Sequence, residues 1–396
     1  MGALADRPFR RFFLAQTLST FGDTAMYLAM AIWVKELTHS NAAAAAVIFA
    51  ITAGALFAPL AGFVADRVPR LRLTIVVDLT TSGLVLALLG VRNREGVWIV
   101  YTVAVLYGLS LTILNAARSG LVRDLLPDAL LGPGNASLQT MAQSMQLAAP
   151  LVGAGLFAAV GGRAVAVIDA ATFVVAAALL SRVDGAETRA RHEPETLARE
   201  LSAGIAYVRR TPILRQLVLC ELAVCSVLGF FEPLTFAVVD QGLHRRPTFV
   251  GVLVSVSGVG AVAAGLVAAA VLRRLAEPRT YAIAVLLFAV SAAAQIPHSL
   301  ALVVVGSFAA GAGLTWSNIA IANARQRYSP RHLQGRVAAA TNMTTIAQTL
   351  SIAVGAVLID VIDYRVLLAL MTAVFIAAAV PPLVRARTFD FDELTT

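Results

Sequence analysis

Twelve long apolar runs, each closed off by charge, are what any fold of this sequence must first accommodate. A helix needs about 20 predominantly apolar residues to cross the hydrocarbon of a bilayer. Runs of that order fall near residues 13–36, 43–64, 73–91, 97–117, 138–160, 164–181, 214–239, 249–271, 280–296, 299–319, 337–359 and 365–383. Inside a bilayer each segment must satisfy its own backbone N–H and C=O groups, so every run is predicted to be helical. Composition agrees: 59% of the 396 residues are hydrophobic and only 14% are charged, against about 25% charged in a soluble globular chain. The net charge of +8 does not point to nucleic acid, because the arginines are spaced between apolar runs and are not gathered on one domain. Cys220 and Cys225 lie within a single run and imply no disulfide framework. Residues 1–11 are short and polar ahead of a full-length span, so no signal peptide is expected.

The turn GFVADRVPRLR, residues 62–72, orients the set. It carries Asp66, Arg67, Arg70 and Arg72 between two apolar runs. Burying such charges in hydrocarbon costs about 2.5 to 3.5 kcal/mol each even on lenient scales. The turn must therefore lie at a membrane surface, and its arginines make that surface the cytoplasmic one. Alternation from there leaves 24 of the 31 basic residues on the cytoplasmic side and 7 on the other, with both termini inside. The expected location is the cell (inner) membrane. Trp33 and Trp98 then fall near the outer boundary, where indoles favour the interface.

A polar stretch divides the chain into an N-terminal six-helix bundle (1–182), a cytoplasmic linker (183–213), and a C-terminal six-helix bundle with a short tail (214–396). Within the linker, Leu197, Leu201, Ile205 and Val208 recur at helical spacing, which predicts a short amphipathic helix on the inner leaflet. The two halves also repeat. Leu126-Pro127-Asp128-Ala129-Leu130 with Gly132 parallels Ser329-Pro330-Arg331-His332-Leu333 with Gly335, at an offset of 203. Parallel six-span repeats about an axis along the membrane normal are a secondary-transporter architecture.

With these motifs the chain resembles the major facilitator superfamily over its whole length, and within it the twelve-span drug and siderophore exporters. The family's loop between spans two and three is matched by Gly62, Asp66-Arg67 and Arg70. In the second half, LRRLAEPR (272–279) keeps only the basic residues of that motif. An exporter-like pattern in span five reads Pro150-Leu151-Val152-Gly153-Ala154-Gly155, with Ala149 where exporters carry a further glycine. The resemblance implies an all-α integral membrane fold of twelve helices in two pseudo-symmetric bundles that rock around a midplane cavity. It also implies that the Gly62 turn is a cytoplasmic latch. A glycine permits close helix approach, and an arginine there can pair with a carboxylate.

Several residues could carry chemistry. Asp23 lies near the middle of span one, and an intramembrane carboxylate is a functional candidate by default. It shares a helical face with Thr20, Tyr27, Met30 and Val34, a mixture that suits a wet cavity; a structural hydrogen bond between helices is the alternative. In span seven Glu221, Cys225 and Glu232 share a face. An acid held away from water resists ionisation and releases its proton when water enters, which is what proton coupling needs. Asp169 in span six is a third candidate, and Asp78 is expected to pair with local arginines. Gln139, Gln143 and Gln146 form a polar stripe on span five, echoed by Asn342, Thr345 and Thr349 on span eleven. Such stripes line cavities or join helices. Phe230, Phe231 and Trp316 could supply apolar walls.

Enzyme readings are poor. The histidines lie at span ends or in loops without zinc spacing, and no glycine-rich phosphate loop precedes Lys35, the single lysine. No cofactor, metal or nucleic acid is expected. The partners implied are a small-molecule substrate, protons and the lipid bilayer, with the chain acting as a monomer. The expected activity is proton-coupled export of a small amphipathic compound such as a drug or siderophore. Import of a small solute on the same fold is the alternative. A non-transporting receptor or scaffold would call for a large soluble domain or long loops, which this chain lacks.

Overall fold

The structure is a computed structural model that describes residues 3–183, 197–330 and 333–384. Among the described residues the chain is helical throughout and contains no strand. It is an all-α membrane fold of twelve crossings in two repeated halves. Two compact units divide it, Met1–Glu193 with Arg246–Ser255, and Pro194–Arg245 with Val256–Thr396.

In the first unit, α1 (Arg7–Thr38) begins where the Asp6 carboxylate accepts the Phe9 N–H at 2.9 Å, with Pro8 in the first turn. It ends at His39, which turns left-handed with φ 58° while Lys35 Nζ donates to the His39 carbonyl at 3.2 Å. The second crossing is interrupted. It runs through α2 (Asn41–Thr52), a 3-10 turn (Ala53–Phe57) and α3 (Ala58–Arg67). The third is α4 (Arg70–Leu86), extended by a 3-10 turn, and the fourth is α5 (Val97–Leu125). Crossings five and six form α6 (Asp128–Leu180), broken at Gly161 with φ 76° and ψ 167°. Only glycine adopts that backbone at low cost. α6 lies along α1 and against α4. Phe9, Phe12, Leu121, Leu126 and Leu180 close the core at one end of the unit.

In the second unit, the seventh crossing comprises α8 (Pro212–Leu228), α9 (Phe231–Ala237) and a π-helical turn, Val238–Gly242. The others are α10 (Phe249–Arg274), which belongs to this unit from Val256 on, α11 (Glu277–Ala294), α12 (Leu300–Tyr328), the pair α13 (Gln334–Asn342) and α14 (Thr344–Leu358), and α15 (Tyr364–Val384). The linker helix is α7 (Leu197–Arg210). It docks on protein: the backbone of α13 at Arg336 fills the space beside Gly204, and the Tyr207 hydroxyl donates to the Tyr328 carbonyl at 2.9 Å. The side chains of Leu197 and Leu201 lie outside the described residues; Val208 is buried, and Ile205 is exposed.

Eight helical stretches among the described residues are long and apolar enough to cross a membrane on length and composition alone. The four remaining crossings are α1, the interrupted second, the first part of α6, and α13–α14. The second crossing is apolar but short, and α13 and α14 are each short because that crossing is broken; α1 and the first part of α6 carry polar groups such as Asp23 and Gln139.

The repeat is visible in packing. A side chain on Gly108 would strike the backbone of Ile51, and one on Gly54 would strike the backbone of Gly108. In the second unit a side chain on Gly311 would strike the backbone of Ser257. Gly108 and Gly311 differ by 203 in number, as do Gly54 and Ser257, so the sequence offset is also an offset in backbone contact. Close backbone approach through small residues is how membrane helices gain packing energy. Of the two indoles expected at the outer boundary, Trp98 is exposed but Trp33 is buried, with Gly162 against its ring and Phe157 edge-on at 6.4 Å.

Candidate functional site

Asp23 sits midway along α1, and the first unit builds a connected polar cluster around it. The Tyr107 hydroxyl of α5 contacts Asp23 Oδ1 at 2.9 Å and Asp169 Oδ2 of α6 at 3.3 Å. On the other side of Asp23, Ser19 Oγ lies 3.5 Å from Oδ2 and accepts from Arg118 Nη2 at 3.0 Å. The same guanidinium nitrogen pairs with Asp78 Oδ1 of α4 at 3.0 Å. Four helices thus contribute three carboxyls, one guanidinium and one phenol to a single chain of contacts.

Two consequences follow from elementary accounting. First, a phenol has one hydrogen to donate, and here it faces two carboxyl oxygens. Both contacts are favourable when one carboxyl carries a proton and donates it to the phenol oxygen. Second, three carboxyls share one cation. Asp78 and Asp169 are 0% and 1% exposed, and Asp78 Oδ2 and Asp169 Oδ1 have no hydrogen-bond partner among the described residues. A buried charge without compensation is costly.

The local sequence explains the geometry. Tyr107 and Arg118 are eleven residues apart, about three turns of helix, so one face of α5 presents both. Asp169 reaches Asp23 because α1 carries glycine at the crossing: a side chain on Gly22 would overlap the Asp169 carboxyl and the Thr172 hydroxyl. Gly153, from the exporter-like pattern, likewise lets α6 approach the backbone of α1 at Ala25.

The second unit holds a cavity of about 150 Å³ lined by α8, α12, α13 and α14. Glu221 is on its wall, accepting from Tyr281 O–H at 2.7 Å and facing Cys225 Sγ at 3.6 Å. Asn342 and Thr345 also line it, as does Arg325, whose Nη1 donates to Thr341 Oγ1 at 3.0 Å and Asn342 Oδ1 at 3.2 Å.

The remaining candidates are placed as follows. Tyr27 is half-buried, whereas Met30 and Val34 are fully buried in packing. Gln139 is exposed; the side chains of Gln143, Gln146 and Asp66 lie outside the described residues. Phe230 is buried against Gly355, and Glu232, half-buried at the start of α9, has no hydrogen-bond partner for its carboxylate among the described residues. In the charged turn, a side chain on Gly62 would meet nothing within 4 Å, so no close approach requires that glycine in this conformation. The Arg67 guanidinium stacks over the Phe63 ring at 3.7 Å, and Arg70 pairs with Asp124 of α5 at 3.3 Å.

Sequence reasoning missed Tyr107, Tyr281 and the burial of Arg118. The eleven-residue spacing of Tyr107 and Arg118 was a usable signal. Asp169 is buried and stands eight residues past the break in α6. The break falls at Gly161, and eight residues of helix beyond it span about 12 Å.

The family model of the Major Facilitator Superfamily matches residues 12–243 and again 219–390. No curated protein matches the chain in sequence. Among the solved structures that share its fold are three transporters. A bacterial homologue of the iron transporter ferroportin, in an inward-facing state, is 16% identical with a TM-score of 0.73 over 97% of this chain and 99% of that one. The nucleoside transporter NupG is 11% identical with a TM-score of 0.78 over 95% and 99%. The peptide transporter POT, in complex with sulfate, is 13% identical with a TM-score of 0.75 over 96% and 94%.

Proposed function

From the premise that this chain belongs to the major facilitator superfamily and has that family's transporter fold, we propose that it is a proton-coupled exporter. On this reading it works by alternating access, exchanges protons for a small amphipathic compound such as a drug or siderophore, and sits in the cell (inner) membrane with both termini cytoplasmic. The observation that supports the reading is the Tyr107 hydroxyl held between Asp23 and Asp169. A phenol with one hydrogen and two carboxyl partners lets a proton reside on either acid with small movement of heavy atoms. The adjoining Arg118, paired with Asp78, also donates to Ser19 and so ties this ion pair to the Asp23 site. Glu221 and Glu232 are further proton-coupling candidates. Import of a small solute remains the opposite direction of the same cycle.

The test is a growth screen of cells overproducing the chain, against small amphipathic drugs, organic acids and siderophores. Wild type is expected to raise the tolerated concentration for one class, with extrusion driven by a pH gradient. Asp23→Asn is expected to remove that protection at equal abundance in the membrane. Accumulation of the compound would reverse the direction, and unchanged coupled transport by Asp23→Asn would take Asp23 out of the mechanism.

A further inference from the structure

The acid cluster of the first unit accounts for protons and says nothing of the compound exchanged for them. Resting on the transporter reading, we propose that the cavity of the second unit binds a small organic anion, a carboxylate-bearing molecule about one aromatic ring in size, with its acid group on Arg325. Three observations carry this. The first is an unbalanced cation. Arg325 lines the cavity, and among the described residues its guanidinium touches only the neutral acceptors Thr341 Oγ1 and Asn342 Oδ1. Both contacts use Nη1, and no described residue engages the edge formed by Nε and Nη2. That edge is the planar fork that takes a carboxylate in two parallel hydrogen bonds.

The second observation is that the acid on the same wall is already engaged. Glu221 accepts from the Tyr281 hydroxyl on one oxygen and faces the Cys225 thiol with the other. Among the described residues the cavity therefore offers a positive group with no acid partner and a satisfied negative one. The third is shape. Leu214, Leu217, Val218 and Ile321 form an apolar wall, with Asn318 and Thr345 adding hydrogen-bonding groups. The volume of about 150 Å³ is roughly that in which an apolar cavity takes up benzene. A ring against the leucines with a carboxylate on Arg325 fits both the chemistry and the size. The repeat adds a contrast: 203 positions before Arg325 stands Val122, so the guanidinium is not part of the doubled scaffold.

The probe is radiolabelled benzoate, measured by equilibrium dialysis on the purified full chain in detergent, with benzamide as the neutral isostere and benzylamine as the cationic one. Benzoate is expected to bind at least about tenfold more tightly than either, the scale of one charge-assisted contact. Arg325→Gln is expected to weaken benzoate by a similar factor and leave benzamide unchanged, with Arg325→Lys intermediate. Leu217→Trp, which fills the apolar side without altering charge, is expected to exclude benzoate. The preference between benzoate and benzamide on the unaltered chain decides the matter if Arg325→Gln does not fold. Absence of benzoate binding, equal binding of benzamide or benzylamine, or unchanged binding by a folded Arg325→Gln would each overturn the proposal. Dialysis involves no gradient, so a failure here leaves proton coupling at Asp23 standing, and loss of the Asp23 result leaves benzoate binding standing.

Discussion

Tyr107 joins Asp23 and Asp169 through a single hydroxyl group. Replacing it with Phe keeps the ring, which packs edge-on against Phe173 at 6.1 Å, and removes the bridge between Asp23 and Asp169. Tyr107→Phe is expected to remain folded and inserted while losing most gradient-driven transport, read as flux in proteoliposomes with and without a pH difference. If flux and its dependence on the gradient are unchanged, the bridge is structural only. The Arg118–Asp78 pair makes a separate prediction, because its side chains are only 8% and 0% exposed. Asp78→Ala leaves a buried guanidinium unpaired and is expected to cost about 3–5 kcal/mol, whereas Asp78→Leu with Arg118→Met recovers much of that stability but not transport. Thermal unfolding in detergent measures both. At this scale the sequence was half legible. Asp23 stood out because a lone acid in an apolar run is conspicuous, but its partners lie 84 and 146 positions away and are joined to it only by folding.

Elements were more legible than residues, because apolar length and turn chemistry are local properties. The runs near 138–160 and 164–181 meet at a turn that the structure puts at Gly161. What the sequence hid was how helices touch. Gly108 looks like any glycine in an apolar run, yet it is where the backbones of α2 and α5 meet. Gly108→Ala and Gly311→Ala are each expected to destabilise their unit by about 1–3 kcal/mol, since rigid backbone on the far side cannot yield to a methyl group. A matched substitution at Gly155, where a side chain would meet nothing within 4 Å, is expected to leave the melting temperature nearly unchanged. Equal melting temperatures for all three would show that the two close approaches are not load points. The linker helix teaches the same lesson: its amphipathic spacing is legible in sequence, but not that Gly204 and Tyr207 dock it on α13 and the end of α12.

For the whole molecule, orientation is a consequence of where the basic residues fall. Single cysteines at Asn93 and Gln326, both exposed, should report opposite sides. Asn93→Cys is expected to react with an impermeant maleimide in intact cells, and Gln326→Cys only after the membrane is opened, with the buried native Cys220 and Cys225 contributing little background. The reverse pattern would invert the topology and turn Arg325 toward the exterior.

The two halves are duplicates in framework and not in chemistry. Gly108 recurs as Gly311, but the positions matching Asp23, Tyr107, Arg118 and Asp169 are Ser226, Ala310, Ile321 and Thr372. A duplicated gene that keeps only its joints in common leaves each copy free to specialise. If the proposed roles hold, selection or a protein engineer could retune the cargo by editing one copy while the power supply in the other is left untouched.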